Sequence, residues 1–162
     1  MCVFNHSIYS TFTMHSLDST EFKLLHVHRL TDTAKLPYKK HDEDAGFDLS
    51  SDEDFTIEPW SKYLVSSGIC FTVPQGTYGQ IAPRSGMSMK GVFVNAGVID
   101  RNYTGEVKIL LFNMTSEPLA FKQGDRVAQL IVKKIENPKV VDCINGLQST
   151  DRGSGGFGST GQ

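Results

Sequence analysis

The apolar residues of this chain come in short runs that never settle into a helical stripe. From Phe22 onward the runs read "FKLLHVHRL", "DFTIEP", "SKYLVSSGICFTV", "YGQIAPR", "VFVNAGVI", "EVKILLFNMT" and "RVAQLIVKKI", bounded by Gly, Pro, Asn and Asp. Val, Ile, Phe and Thr dominate them, the side chains that suit a pleated, half-buried surface. "PQGTYG" and "KQGD" supply corners. No window repeats apolar residues at the spacing of a helix face. One or two helical turns around "SGMSMKG" are the most a helix can claim. Many short strands with frequent turns predict an all-β sandwich, barrel or jelly roll. A length of 162 residues suits one domain. The expected organisation is an irregular or disordered lead-in over 1–21, a β domain over 22–136, and a C-terminal linker and glycine-rich arm over 137–162.

Formal charge is −2 and no long basic run occurs, so no nucleic-acid-binding surface is expected, and no segment is long enough to cross a membrane, so no membrane partner is expected. Cys2, Cys70 and Cys143 are odd in number and far apart, which fits neither a disulfide framework nor a zinc spacing and predicts a reducing compartment. "MCVFNHSIYSTFTMHS" lacks the basic and apolar segments of a signal peptide. The expected location is intracellular, with cytoplasm and nucleus equally open. His26 and His28 share a strand face. A metal pair and two exposed strand positions both fit that spacing; without an evident third ligand the second is preferred.

Four internal stretches combine chemistry with a turn. "DAGFDLSSDED" is largely a solvated acidic surface, but Asp48 alternates with Phe47 and Leu49, which directs it to a polar site or a buried partner. "APRSGMSMKG" sets Arg84 and Ser85 after an apolar strand and before a glycine; an ordinary Pro–Gly turn and a phosphate nest both fit. "NAGVIDRNYTGEV" reads as a long hairpin in which Asp100 follows Val98 and Ile99, apolar company that can control a carboxylate, with the flat ring of Tyr103 three residues on. An Asp-led turn alone also explains it. In "GDRVAQLIV" the amide of Gln129 lies among apolar residues and needs partners, from backbone or ligand. The chain ends on "RGSGGFGSTGQ". Gly153, Gly155 and Gly158 fit G-x-G-x-x-G, yet no helical pattern follows to receive a pyrophosphate. A flexible Gly/Ser tail fits the composition. A spacer, however, has no need of Phe157, which can stack on a base, or Arg152, which can grip a phosphate.

Together and in this order, "AGFDLSS", "PRSGMSMKG", "AGVIDRNYTGEV", "GDRVAQLI" and "RGSGGFGSTG" resemble the five motifs of the trimeric dUTP pyrophosphatases, the dUTPases. The resemblance spans about residues 22–161. It implies a jelly-roll-like β-barrel, a homotrimer whose three sites are each shared among three chains, and a tail that closes over a neighbour's nucleotide. It also implies Mg²⁺-dependent hydrolysis of dUTP to dUMP and pyrophosphate by water attack at the α-phosphorus. That reaction keeps uracil out of DNA and supplies dUMP for dTMP synthesis.

By the same resemblance Asp100 activates the water, and Tyr103 lies under the deoxyribose and excludes a 2′-hydroxyl. The backbone from Gly97 through Val98 to Ile99 reads the uracil edge. Arg84, Ser85, Gly86 and Gln129 hold the phosphate chain. Arg152 reaches the γ-phosphate, Phe157 covers the uracil, and Gly158, Ser159 and Thr160 add phosphate contacts. Asp48 is implied near the metal, through water. Asn95 is counted with the substrate-binding residues of the hairpin that reads the base, although it and Arg101-Asn102 depart from the usual family pattern there. A dCTP deaminase of similar fold and a member without turnover are the alternatives. The tail with Phe157 and the "GVIDRNY" stretch favour phosphate chemistry, and the intact Asp100 favours turnover.

Overall fold

The computed structural model describes residues 23–155. The lead-in and the tail residues Phe157, Gly158, Ser159 and Thr160 lie outside the described residues. Eleven strands and one short helix follow one another: β1 His26–Arg29, β2 Phe47–Ser50, β3 Phe55–Ile57, β4 Lys62–Ser66, β5 Ile69–Thr72, β6 Thr77–Ala82, α1 Ser85–Met89, β7 Val92–Asn95, β8 Val98–Ile99, β9 Lys108–Asn113, β10 Leu119–Phe121 and β11 Arg126–Lys134. They pair antiparallel into four sheets, ordered β1-β5, β10-β3, β2-β11-β6-β8 and β4-β9-β7. Leu49, Ile81 and Leu130 from the third of these meet Val65, Val92, Ile109 and Leu111 from the fourth, and Phe55, Ile57 and Phe71 from the small sheets, in one buried cluster. All four sheets therefore close on a single core, as in a jelly-roll-like barrel. Phe55 stacks between Tyr63 and Phe121, with ring centroids 4.9 and 4.8 Å away.

Alternation explains which side chains enter the core. Along β9, Ile109, Leu111 and Asn113 point in. Asn113 is fully buried, yet its amide is satisfied. Its Nδ2 donates to the carbonyls of Ile57 (3.0 Å) and Glu117 (2.7 Å), and its Oδ1 accepts from the Thr115 N–H at 2.9 Å. A buried polar group fully paired in this way ties three segments together at little net cost.

The structure corrects the strand reading at three places. "SKYLVSSGICFTV" is two strands, β4 and β5, because Gly68 has φ 63 and breaks the ladder. "VFVNAGVI" is likewise two strands, β7 and β8, which belong to different sheets. Ala96 (φ 57) and Gly97 (φ 94) turn the chain between them, and the Asn95 Oδ1 accepts the Ala96 N–H at 2.8 Å. That side-chain bond holds a left-handed alanine, a conformation L-residues otherwise avoid. "YGQIAPR" stops at Ala82, since Pro83 has no N–H to donate to a ladder. Strands β2 and β10 fall outside the seven apolar runs. Helix α1 forms inside "SGMSMKG", as the sequence predicts, with Met87 buried beneath it. His26 and His28 are exposed on β1.

Candidate active site

The four-stranded sheet β2-β11-β6-β8 carries chemistry at both edges. On the first edge, Asp48 of β2 faces Gln129 of β11, and Gln129 faces Ala82 at the end of β6. This register brings three sequence stretches to one place. Pro83 then directs the chain into α1, so that Arg84 becomes its N-cap. The N–H groups of Ser85 and Gly86 begin the helix and have no intrahelical partner. An added Cβ at Gly86 would meet nothing within 4 Å, so its backbone is open to a ligand.

The side chains there are held in place. Arg84 Nε lies 2.7 Å from Asp48 Oδ1, and Arg84 Nη1 donates to the Arg126 carbonyl at 2.9 Å. Arg126 Nη1 donates to Asp48 Oδ2 at 3.0 Å. Gln129 Nε2 donates to the Pro83 carbonyl at 2.8 Å. A Cβ on Gly46 would fall 2.2 Å from Gln129 Oε1, so a larger residue there would displace the amide from its place under the "DAG" turn. Together with Tyr38, Lys40 and Asp44 these groups line a cavity of about 360 Å³. Two guanidinium groups around one carboxylate leave a net positive site with donors already oriented, the arrangement that suits a phosphate chain.

On the opposite edge, β8 pairs with β6 through Gly79↔Ile99 and Gln80↔Val98. The Ile81 N–H donates to the Gly97 carbonyl at 2.7 Å, and a Cβ on Gly97 would lie 2.6 Å from the Ile81 carbonyl oxygen. Gly97 is thus required for this close approach. Because neighbouring residues of a strand turn their polar groups to opposite sides, Val98 presents its N–H and C=O outward. Asp100 follows and is exposed, as is Tyr103. The Tyr103 N–H donates to the Asp100 carbonyl at 3.0 Å, and its hydroxyl donates to the Glu106 carbonyl at 2.9 Å. Val98, Ile99, Asp100 and Tyr103 line a second cavity of about 520 Å³ with Leu64, Glu106 and Lys108.

Asp48 and Asp100 therefore occupy separate cavities of the same chain. They are three strand steps apart, roughly 14 Å across the sheet, and four residues, about 13 Å, apart along it. Arg152 joins neither group: its Nε donates to the Gly155 carbonyl within its own turn at 3.2 Å. Asn95 is exposed, and its Oδ1 is engaged with the backbone of the turn.

Sequence reasoning missed Arg126. It opens β11 just after the exposed "QGD" turn, and nothing local signals that its guanidinium meets a carboxylate 78 positions earlier. Gly46 and Gly105 were missed for a related reason. Each glycine is read through the side chain lying on it, Gln129 and Tyr103 respectively.

The antiparallel β-barrel thus carries oriented cations on one sheet edge and a carboxylate beside a free backbone edge on the other. The family model for dUTPase matches residues 32–161, and the chain belongs to the dUTPase family. It is 46% identical over 146 residues to the deoxyuridine 5'-triphosphate nucleotidohydrolase of Saccharomyces cerevisiae, spanning 90% of this chain and 99% of that protein. Among solved structures it is similar to a point mutant of the Staphylococcus bacteriophage 80alpha dUTPase with dUpNHpp. There the TM-score is 0.79 at 26% identity, over 86% of this chain and 99% of that one. It also resembles a mutant dUTPase from phage phi11 of S. aureus that coordinates a structural Mg(II) ion. That likeness has a TM-score of 0.69 at 26% identity and covers 74% of this chain and 95% of the phage chain.

Proposed function

We propose that this protein hydrolyses dUTP to dUMP and pyrophosphate in sites shared between subunits of a homotrimer. The observation that carries the reading is the division of the motif residues between two edges of one sheet. The phosphate-binding half holds Asp48, Arg84, Ser85, Gly86 and Gln129, and the base-reading half holds Val98, Ile99, Asp100 and Tyr103. Neither half suffices alone, and a neighbour's opposite edge supplies what each lacks. The surface supports self-association. Leu64 and Phe93, 54% and 49% exposed, lie with Leu110 and Phe112 on the outer face of the β4-β9-β7 sheet. Val140, Val141, Ile144 and Leu147 are almost wholly exposed in the segment leading to the tail. Apolar surface of this kind marks protein contacts.

In the proposed reaction the uracil edge pairs with the outward N–H and C=O of Val98, and Tyr103 lies against the sugar. Arg84, Gln129 and the free N–H groups of Ser85 and Gly86 hold the phosphate chain. Asp100 takes a proton from water as its oxygen attacks the α-phosphorus. The bond from that phosphorus to the α,β-bridging oxygen breaks and pyrophosphate leaves. The donor set fits Mg²⁺ carried in on the substrate. Among the described residues no group of three His, Cys, Asp or Glu forms a cage. Mg²⁺ is commonly held by one or two carboxylates and substrate phosphates, with several waters retained. Asp48, already held by two arginines, would reach the ion through such a water. When bound, Mg²⁺ neutralises phosphate charge and fixes the α-phosphate for in-line attack. The scattered, odd-numbered cysteines support an intracellular setting for the reaction, with cytoplasm and nucleus equally open.

Substrate choice tests the reading. Polar sites reject mispaired edges far better than apolar pockets reject one methylene. With Mg²⁺ present, dUTP is expected to yield pyrophosphate rapidly, and UTP, dTTP and dCTP poorly. Comparable kcat/KM for UTP and dUTP would remove Tyr103 from its role. Release of ammonia from dCTP without pyrophosphate would replace the hydrolase with a deaminase.

A further inference from the structure

Glu106 lies between the turn that carries Asp100 and Tyr103 and the buried Val107, at the entrance to β9. Its carboxylate is only 24% exposed and is tied to a different part of the fold. Oε1 accepts from the Ser66 hydroxyl, and from the Gly68 N–H at 3.2 Å. Oε2 faces Lys108 Nζ at 3.7 Å. Ser66 and Gly68 form the corner between β4 and β5, where Gly68 adopts φ 63. The Glu106 main chain acts in the other direction, since its carbonyl accepts the Tyr103 hydroxyl. The ring is confined further by Gly105, where an added Cβ would lie 2.6 Å from the Tyr103 hydroxyl oxygen.

We propose that Glu106 is a positioning residue for substrate selection. Its carboxylate anchors the Gly105–Glu106 backbone to the β4–β5 corner, and the anchored carbonyl fixes the Tyr103 ring against the sugar. The inference rests on the role of Tyr103 proposed above. Three interactions converge on this carboxylate, on the turn side of the bonds that join Val107 to Ser67 and Ile69 of the same corner. Removing it leaves the Gly68 N–H and the Ser66 hydroxyl without their acceptor and loosens the Gly105–Glu106 peptide that holds the tyrosine, leaving it tethered only from the Val107 side. Glu106→Gln keeps an acceptor oxygen at the same reach and loses only the attraction to Lys108.

The test compares kcat/KM for dUTP and UTP in wild type, Glu106→Ala and Glu106→Gln. Backbone amide exchange is measured over residues 66–69 and 100–106 of the same proteins. A displacement of about 1 Å at a positioned group costs up to about 10²-fold in rate. Glu106→Ala is expected to lower the dUTP-to-UTP ratio about tenfold and to speed exchange in both segments, while Glu106→Gln restores most of the ratio. Loss of global stability alone would lower both substrates together, so an unchanged ratio in Glu106→Ala overturns the proposal. If Glu106→Ala does not fold, Ser66→Ala decides: a reduced ratio supports the anchor and an unchanged ratio overturns it. If wild type turns over no dUTP, the functional reading fails separately. Exchange then decides, with unchanged protection in the two segments rejecting the anchor.

Discussion

Asp100→Asn is expected to lose about two to four powers of ten in dUTP turnover while dUTP affinity stays close to wild type. Asparagine keeps the shape of the side chain but cannot accept the water's proton, and general-base help is worth roughly 10²–10⁴-fold. The fold gives no reason for collateral damage. Asp100 is exposed, and its contact with the Tyr103 N–H is made by its backbone carbonyl, which the substitution preserves. Single-turnover rates with dUTP and Mg²⁺, beside equilibrium binding of a non-hydrolysable analogue, separate the two effects. Near-normal turnover would remove Asp100 from the mechanism. Lost binding with an intact single-turnover rate would make it a binding residue.

Deleting Arg152 to Gln162 is expected to leave a folded trimer and to lower turnover by at least about 10²-fold, the cost associated with one lost transition-state donor. Among the described residues the buried core draws on none beyond Leu130, with Val132 packed against it, so none of Arg152–Gly155 belongs to it. Lost with the tail are the arginine proposed for the γ-phosphate, the aromatic proposed over uracil, and the N–H and hydroxyl donors of Gly158, Ser159 and Thr160. Groups that act as one unit are not additive, and Arg152→Ala alone is expected to account for much of the deletion's effect. Size by light scattering and turnover by pyrophosphate release check both halves of this expectation. A truncated protein with full activity would show that the tail has no part in the reaction.

The all-β class was legible because strand signals are local: β-branched runs, frequent turns and no helical stripe. The breaks at Gly68 and Gly97 were not, because apolar residues continue on both sides and only backbone conformation records the turn. Strand β2 was half legible. Alternation set Asp48 apart from Phe47 and Leu49, but its partners Arg84 and Arg126 come from distant segments brought together by the β2–β11–β6 register. The chemistry of Asp100, Tyr103 and Arg84 was legible as residue types. Their separation onto opposite sheet edges was not, since it depends on strand order rather than on any local pattern. The apolar company expected around Asp100 takes the form of a cavity wall, and the carboxylate itself is exposed in the single chain.

Sharing of the site between chains is tested most directly by mixing the two variants. Asp100→Asn and the Arg152–Gln162 deletion are unfolded together and reassembled, and mixed trimers are identified by mass. A closed symmetric trimer distributes its subunits statistically. Some sites then receive an intact Asp100 from a truncated chain and an intact tail from an Asp100→Asn chain. The hydrolysis products of dUTP, dUMP and pyrophosphate, are predicted to reappear in proportion to those mixed trimers. Mixed trimers that form and stay inactive would contradict a tail that serves a neighbour's site.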